Sequence, residues 1–272
     1  VEQCEALARK FPALLSDPRL AFPHSVVKLQ ADSAHVGNLL ISRAVPGEQL
    51  GMYMSRFSKG DANPKLEKVL EEVGALLASF HNKYADPVTG EATHHRDFHP
   101  SNVLYDQASG SLSIVDLSGM GSWGPNDDVE KFAKLSRQMA GERCANAFTE
   151  KYWSLSRATN PASNAGPVAS HQGPLLASAV AHCEASEDSF RHLSTLVVQP
   201  GEFDPAKHLT TLAYLLSPGD AKLVPTIKRV GVTDGVWVLR SGGDQCKSWM
   251  LKMVSAQRKT ASLPTDVEQC EA

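Results

Sequence analysis

The spacing of apolar residues predicts strands towards both ends of the chain and helices between them. Short apolar runs predict strands at 25–30, 38–45, 226–230, 236–240 and 249–254. Apolar residues that recur every three or four positions predict helices at 7–15, 64–80, 129–139, 145–155, 175–193 and 206–216. A stretch rich in Pro, Ala, Ser, Asn and Gly predicts a loop at 157–173. Strands, then helices, then strands are typical of an α+β fold.

The two ends of the chain have the same sequence. Residues 1–6 and residues 267–272 both read VEQCEA. Two origins explain this identity: one period cut from a tandem array, or a circularly permuted chain. The sequence does not decide between a natural repeat and an engineered permutant. In both cases, elements that precede the first half of the chain in the folded domain are expected in its last quarter.

Composition removes several classes of function. The chain has 272 residues, of which 42% are hydrophobic, and a net charge of −3. This charge gives no general attraction to nucleic acids or anionic membranes, and no apolar run approaches the length of a membrane span. The five cysteines form no CxxC pair, which is typical of reduced thiols. We therefore expect a cytoplasmic protein with no nucleic-acid partner and no membrane partner.

The segment HRDFHPSN at 95–102 contains side chains that phosphoryl transfer from ATP requires. That reaction needs a carboxylate near the acceptor hydroxyl and oxygen ligands for the metal ion on the triphosphate. Asp97 can accept the hydroxyl proton, and Asn102 can turn its amide oxygen to the metal. Asp116 follows the predicted strand at Ile114-Val115 and adds a second ligand. Oxygen ligands suit Mg²⁺. The nearby histidines match no familiar zinc spacing.

The stretch HRDFHPSNVLYD…IVDL resembles the catalytic segment of the aminoglycoside phosphotransferase and choline kinase-like superfamily, whose pattern is H-x-D-x-H-P-x-N. The resemblance implies a two-lobed, protein-kinase-like fold, with Asp97 as base or orienter and with Asn102 and Asp116 on Mg²⁺. In that superfamily another Asp, twelve residues after the metal-binding one, supports the catalytic loop from beneath. Asp128 stands at that position, although capping of the following helix would also explain it.

The resemblance extends to residues that would bind the nucleotide. The segment 226–240 looks like the superfamily's first hairpin, and Gly231 and Gly235 stand where the chain passes close to phosphate. Lys252 looks like the phosphate-binding lysine, and an edge-strand surface lysine is the alternative. By resemblance, a glutamate braces this lysine: Glu2 or Glu268, with Glu5 or Glu271 as second choices. The resemblance also implies that the backbone of Arg43, Ala44 and Val45 contacts adenine.

By the same resemblance, the lobes are permuted along the chain. Residues 200–272 plus 1–45 are expected to form a small antiparallel-sheet N-lobe that binds the nucleotide, and residues 46–199 a helical catalytic C-lobe. In a tandem array, each pair of lobes would form across a repeat boundary. In a single unit, the lobes pair within one chain or head-to-tail between chains, and the latter arrangement gives rings or filaments. The predicted helix at 7–15 begins in VEQCEA, and which copy of VEQCEA completes it stays open.

We therefore predict a kinase that transfers the γ-phosphate of ATP, with Mg²⁺, to a hydroxyl group of a small-molecule acceptor. The preference for a small molecule comes from the resemblance, and the sequence does not identify the acceptor. One alternative is a protein Ser/Thr kinase of the same superfamily, although little room exists for an activation loop between Asp116 and Asp128. Another is a catalytically silent nucleotide-binding or scaffold module, although all the catalytic residue types are present.

Overall fold

The structure is a computed structural model, and it describes residues 1–57, 63–86, 88–121, 127–158, 190–198, 204–216, 226–229, 236–240 and 248–255. These residues form helices and two β-sheets, an α+β arrangement. The helices are α1 Glu2–Lys10, α2 Ala13–Ser16, α3 Leu50–Met54, α4 Pro64–Lys83, α5 Asp127–Ala140, α6 Glu142–Ala158 and α7 Leu209–Leu216. The strands are β1 Pro23–Ala31, β2 Ala34–Arg43, β3 Glu48–Gln49, β4 Val103–Asp106, β5 Ser111–Ile114, β6 Arg191–Val197, β7 Thr226–Arg229, β8 Val236–Arg240 and β9 Ser248–Ser255.

The contacts divide the chain into two compact units. The first unit is formed by Val1–Glu5, Pro23–Ala44 and Phe190–Ala272, and the second by Ala6–Phe22 and Val45–Ser189. The sequence grouping placed residues 6–22 with the first of these regions, whereas their contacts place them in the second unit. Each unit has its own sheet, six-stranded in the first and three-stranded in the second.

The first unit is built on a mixed sheet with the strand order β6-β1-β2-β9-β8-β7. Neighbouring strands are antiparallel, except that β6 runs parallel to β1. The expectation of a purely antiparallel sheet is therefore wrong at this edge, and so is the predicted helix over its last residues, 191–193. The sequence RHLSTLV of β6 carries β-branched residues, and it covers two leucines: Leu193 is partly buried and Leu196 is buried in the core, whereas the other residues of the strand are exposed.

The core of the first unit lies on one face of this sheet. Because side chains alternate along a strand, every second residue of the central strands is buried there. The buried set includes Val27, Leu29, Leu39, Ile41, Leu239 and Leu251, with Leu212 and Leu216 of α7 packed against them. The even-numbered residues of β9 therefore face away from this core.

The second unit is mostly helical. Helix α4 begins where the sequence predicts, because the Asn63 side chain accepts a hydrogen bond from the Leu66 amide at 3.0 Å and Pro64 occupies the first turn. The seven apolar residues whose spacing predicts α4 are all buried: Leu66, Val69, Leu70, Val73, Leu76, Leu77 and Phe80. Helix α4 packs closely on α6, since a Cβ atom at Gly74 would lie 2.4 Å from the backbone oxygen of Phe148. None of the described helices is long and apolar enough to cross a bilayer.

The hairpin of β4 and β5 sets the geometry of the catalytic segment. Its turn is stabilised by Asp106, whose carboxylate accepts hydrogen bonds from the Ala108 amide at 3.1 Å and the Ser109 hydroxyl at 2.6 Å. Val103 is paired with Ile114 at the other end of the hairpin. Asn102 precedes β4 directly and Asp116 follows β5 by two residues, so both come to the same end of the hairpin.

Candidate active site

Asn102 and Asp116 are brought together by the backbone at the open end of the hairpin. The Val115 amide donates a hydrogen bond to the Asn102 carbonyl oxygen at 3.0 Å. Asp116 then has φ of 61° and ψ of 48°, which is the left-handed conformation that non-glycine residues rarely adopt. Such a conformation costs of order 1–3 kcal/mol and persists where the surrounding structure enforces it, most often at functional sites. The extended strand therefore does not continue through Asp116, and its left-handed backbone conformation sets the direction of its side chain.

His95 links the loop at 95–102, which the sequence predicts to be catalytic, to the same strand end. Its Nε2 lies 2.8 Å from the Val115 carbonyl oxygen, and its Nδ1 lies 3.3 Å from the Asp97 amide. A carbonyl oxygen only accepts, so Nε2 carries the proton and Nδ1 accepts from the amide. Burial lowers the pKa of His95, although neighbouring carboxylates oppose this effect. A neutral imidazole with one proton satisfies both contacts, so His95 braces the loop against the strand end.

Asp128 holds the backbone at the start of the 95–102 loop. Its side chain is 1% exposed, and its two carboxylate oxygens accept hydrogen bonds from the amides of His95 at 2.6 Å and Arg96 at 2.9 Å. Arg96 has φ of 73°, a second non-glycine residue in the left-handed region. The expectation that Asp128 supports the loop is therefore confirmed.

Two buried histidines lie against the Asp128 carboxylate. His81 Nε2 is 3.1 Å from Asp128 Oδ2 and His81 Nδ1 is 2.8 Å from the Tyr152 hydroxyl, whereas His94 Nδ1 is 3.6 Å from the same Oδ2. Burial would raise the pKa of Asp128, but its hydrogen bonds with His81 and the loop amide, together with the nearby His94, lower it. Burial is also the main cause of the lowered pKa of His81.

This cluster has donor atoms of a kind that metal ions accept. One ligand atom from each of His81, His94 and Asp128 lies within 4.8 Å of the others. However, each Asp128 oxygen already accepts a backbone amide, and the His81 contact has the geometry of an ordinary hydrogen bond. We therefore interpret the cluster as a hydrogen-bonded support for the loop.

Asp97 lies at the tip of the loop and reaches solvent. Its side chain is 54% exposed. Lys131 donates a hydrogen bond to its Oδ1, while His99 Nε2 and Asn102 Nδ2 each lie 3.4 Å from its Oδ2. Partial burial raises the pKa of Asp97, but the Lys131 hydrogen bond and the nearby positive charges outweigh it and hold the pKa below its ordinary value. Asp97 is therefore a carboxylate at neutral pH.

Asn102 is oriented by the same loop. Its Nδ2 donates a hydrogen bond to the Asp97 carbonyl oxygen at 2.9 Å. Because the amide nitrogen is used in this way, the side-chain oxygen Oδ1 is the atom that Asn102 presents elsewhere. Three predicted site residues, Asp97, Asn102 and Asp116, thus belong to one loop-and-hairpin segment of the second unit.

Lys252 belongs to the first unit. It lies on β9 and is paired with Leu40 of β2 on one side and Val236 of β8 on the other. The interpretation of Lys252 as an edge-strand lysine is therefore wrong, because β9 is an interior strand. Its neighbour Leu251 is fully buried in the core, so Lys252 lies on the opposite face of the sheet.

The other residues predicted to bind the nucleotide lie at the end of β2 and on α1, or outside the described residues. Strand β2 ends at Arg43, and the Ala44 amide donates a hydrogen bond to the Ser248 carbonyl oxygen at 3.0 Å, while Val45 begins the next stretch of the second unit. Glu2 is exposed in the first turn of α1, and Glu5 forms an ion pair with His192. Four predicted residues lie outside the described residues: Gly231, Gly235, Glu268 and Glu271.

Two contributors to the site were missed by sequence reasoning. Lys131 is three residues after Asp128 on α5, a spacing that places both on one helix face, and this spacing is a signal that the sequence contains. His81 carries no such signal, because its contact with Asp128 depends on how α4 packs near α5.

No known protein family matches the chain. No curated protein matches it either.

Proposed function

We propose that this protein is an ATP- and Mg²⁺-dependent phosphotransferase that acts on a hydroxyl group. The observation that carries the proposal is the placement of Asp97, Asn102 and Asp116 on one loop and hairpin, with the loop backbone fixed by a buried carboxylate. Phosphoryl transfer relies almost entirely on positioning and on neutralisation of charge. A rigid loop with an exposed carboxylate at its tip suits that requirement.

The residues fit a magnesium ion by their chemistry. Asn102 presents an amide oxygen, because its nitrogen is bound to the Asp97 carbonyl oxygen, and Asp116 presents a carboxylate from a strained backbone position. Both are hard oxygen ligands of the type that Mg²⁺ prefers, together with phosphate oxygens and water. When bound, Mg²⁺ would neutralise charge on the triphosphate.

Asp97 has the role of orienting the acceptor. The acceptor hydroxyl donates its hydrogen bond to Asp97 Oδ2, and its oxygen attacks the γ-phosphorus. The new O–P bond forms as the bond to the β–γ bridging oxygen breaks, ADP leaves with that electron pair, and the hydroxyl proton passes to Asp97. The lowered pKa of Asp97 favours a late proton transfer, which agrees with a loose transition state for the phosphoryl group.

The first unit is proposed as the nucleotide-binding lobe of a two-lobed, protein-kinase-like fold. In support of this, its sheet carries Lys252 on an interior strand, away from the apolar core. Lys252 is proposed to bind the α- and β-phosphates, with Gly231, Gly235, a glutamate of VEQCEA and the backbone around Arg43 completing the site. The acceptor is proposed to be a small molecule, and an acceptor panel that includes proteins tests this choice.

Magnesium-ATP is expected to stabilise the wild-type protein. At a hundredfold excess over its dissociation constant, a ligand adds about 2.7 kcal/mol to the free energy of unfolding. We expect a clear rise in the melting temperature with MgATP and its loss in Lys252→Ala, since the proposed phosphate contact is removed. Differential scanning calorimetry with and without MgATP measures both.

Lys28→Ala is the matched control for that experiment. Lys28 is an exposed lysine on β1 of the same sheet, and its replacement is expected to leave the MgATP shift intact. A shift that survives in Lys252→Ala would exclude Lys252 from the nucleotide site. No shift in the wild-type protein would argue against nucleotide binding altogether.

Asp116→Asn is expected to lower turnover about a hundredfold and to weaken the magnesium dependence of ATP binding, because a charged oxygen ligand is replaced by a neutral amide oxygen. A metal ion in such a site contributes several kcal/mol, and about 1.4 kcal/mol corresponds to a factor of ten. Asparagine tolerates the left-handed conformation, so the backbone should persist. Isothermal titration of ATP at several Mg²⁺ concentrations, with transfer measured on an acceptor panel, checks both effects.

Asp32→Asn serves as the control for Asp116→Asn. Asp32 also has a positive φ, 46°, but it lies in the exposed turn between β1 and β2. The same chemical change in the same type of backbone should leave magnesium dependence and turnover unaltered. An unchanged magnesium dependence in Asp116→Asn would contradict the assignment of Asp116 as a metal ligand.

A further inference from the structure

Helix α5 contacts the catalytic loop through two side chains on one face. Asp128 and Lys131 are three residues apart, so they are neighbours on the helix surface. Asp128 accepts the loop amides of His95 and Arg96, whereas Lys131 donates to Oδ1 of Asp97. The same helix turn therefore fixes the loop backbone and contacts the side chain at the loop tip.

We propose that Lys131 is a positioning residue of the phosphotransfer site, which holds the Asp97 carboxylate by Oδ1 and leaves Oδ2 for the acceptor hydroxyl. This inference rests on the proposed function. Lys131 itself touches neither the acceptor nor the phosphate in this role. It acts through Asp97.

The remaining contacts of the Asp97 side chain are too long to fix it. His99 Nε2 and Asn102 Nδ2 lie 3.4 Å from Oδ2, near the limit of a hydrogen bond. The side chain is also 54% exposed, so packing does not restrain its rotation. A charge-assisted hydrogen bond from an ammonium group is about twice as strong as a neutral one. Among these contacts, Lys131 is the one that sets the direction of the carboxylate.

The expected kinetic signature is a loss of kcat without a loss of nucleotide binding. Lys131→Met keeps the length of the side chain and removes the donor. We expect kcat to fall about tenfold, because small misplacements of a reacting group cost one to two orders of magnitude, while KM for ATP changes less than twofold. Lys131→Arg restores a charged donor and should recover most of the lost kcat.

Lys134→Met is the matched control. Lys134 is an exposed lysine one turn further along α5, and its loss should leave kcat and KM unchanged. A merely structural ion pair would respond differently, since Lys131→Met would then lower the melting temperature but not kcat per folded molecule.

The contact itself is tested without activity. In ¹H–¹⁵N spectra of the lysine ammonium groups, a hydrogen-bonded ammonium exchanges slowly with water. We expect one slowly exchanging resonance that is lost in both Lys131→Met and Asp97→Asn and retained in Lys134→Met. Its presence in Asp97→Asn would overturn the contact and with it the proposal.

The proposed role of Lys131 and the proposed function can fail separately. A wild-type protein that transfers phosphate, together with Lys131→Met at the same kcat, would overturn the role of Lys131 and leave the proposed function standing. A wild-type protein that binds no MgATP and transfers to no acceptor would overturn the proposed function. The ammonium spectra would then show the ion pair as a structural contact only.

Discussion

Replacing Asp97 with asparagine is expected to lower kcat about a thousandfold and to leave the affinity for MgATP within twofold of wild type. Proton transfer by a positioned side chain contributes a factor of about 10²–10⁴, and asparagine cannot accept the hydroxyl proton. The change preserves side-chain size and the backbone oxygen that binds Asn102. The loss should therefore appear in the chemical step and not in nucleotide binding.

Transfer of label from γ-³²P-ATP to a panel of hydroxyl compounds measures kcat, and isothermal titration measures MgATP affinity. Asp127→Asn is the control, because Asp127 is an exposed carboxylate at the start of α5, next to Asp128. Full activity is expected for this control. A large loss of MgATP affinity in Asp97→Asn would contradict the assignment of Asp97 to the acceptor side.

The sequence predicted which candidate site residues come together better than it predicted the residues that support them. The spacing of Asp97 and Asn102 and the strand before Asp116 are local features, and a short hairpin is enough to bring them together. The contact of His81 with Asp128 joins residues 47 positions apart. Such contacts depend on helix packing, which periodicity in one segment does not specify.

The helices and strands show the same distinction between local features, which the sequence predicts, and tertiary contacts, which it does not. Long segments with a clear period, such as α4 and α5, have the predicted type and nearly the predicted bounds. The first three residues of β6, 191–193, were predicted as the end of a helix. That prediction failed because the pairing of β6 with β1 is a tertiary contact that overrides local preference. The helix predicted at 7–15 is divided in the structure between α1 and the short helix α2. Helix α3 spans less than two turns, too little for a period to appear.

The assignment of residues 6–22 to the second unit has a physical reason that spacing alone does not reveal. Asp17 in this segment is buried, and its carboxylate accepts hydrogen bonds from Lys83 at 2.8 Å and Tyr84 at 3.1 Å at the end of α4. The Ile114 amide donates to the Arg19 carbonyl oxygen at 2.8 Å. These polar contacts join the segment to the hairpin and to α4, and neither is visible as an apolar pattern.

Asp128→Ala is expected to lower the free energy of unfolding by about 3–5 kcal/mol, because it removes a buried carboxylate that accepts hydrogen bonds from two backbone amides and His81. The change leaves the amides of His95 and Arg96 without their acceptor, and a buried unpaired donor costs about 1–3 kcal/mol. Urea unfolding followed by circular dichroism measures the loss. Hydrogen exchange over 94–102 is expected to accelerate, and activity to fall with it, because the loop that carries Asp97 is no longer held.

The pH dependence gives this prediction a second test. Because the folded pKa of Asp128 is lowered, its carboxylate stabilises the fold above its ordinary pKa of about 3.9, and the contribution disappears as the pH falls through the lower folded value. The difference in unfolding free energy between wild type and Asp128→Ala should be full at neutral pH and shrink below about pH 4. Asp127→Ala, one position earlier and exposed, should cost less than about 0.5 kcal/mol. Equal effects of the two substitutions, or unchanged exchange over 94–102, would mean that the backbone pairing of His94 with Gly121 holds the loop without Asp128.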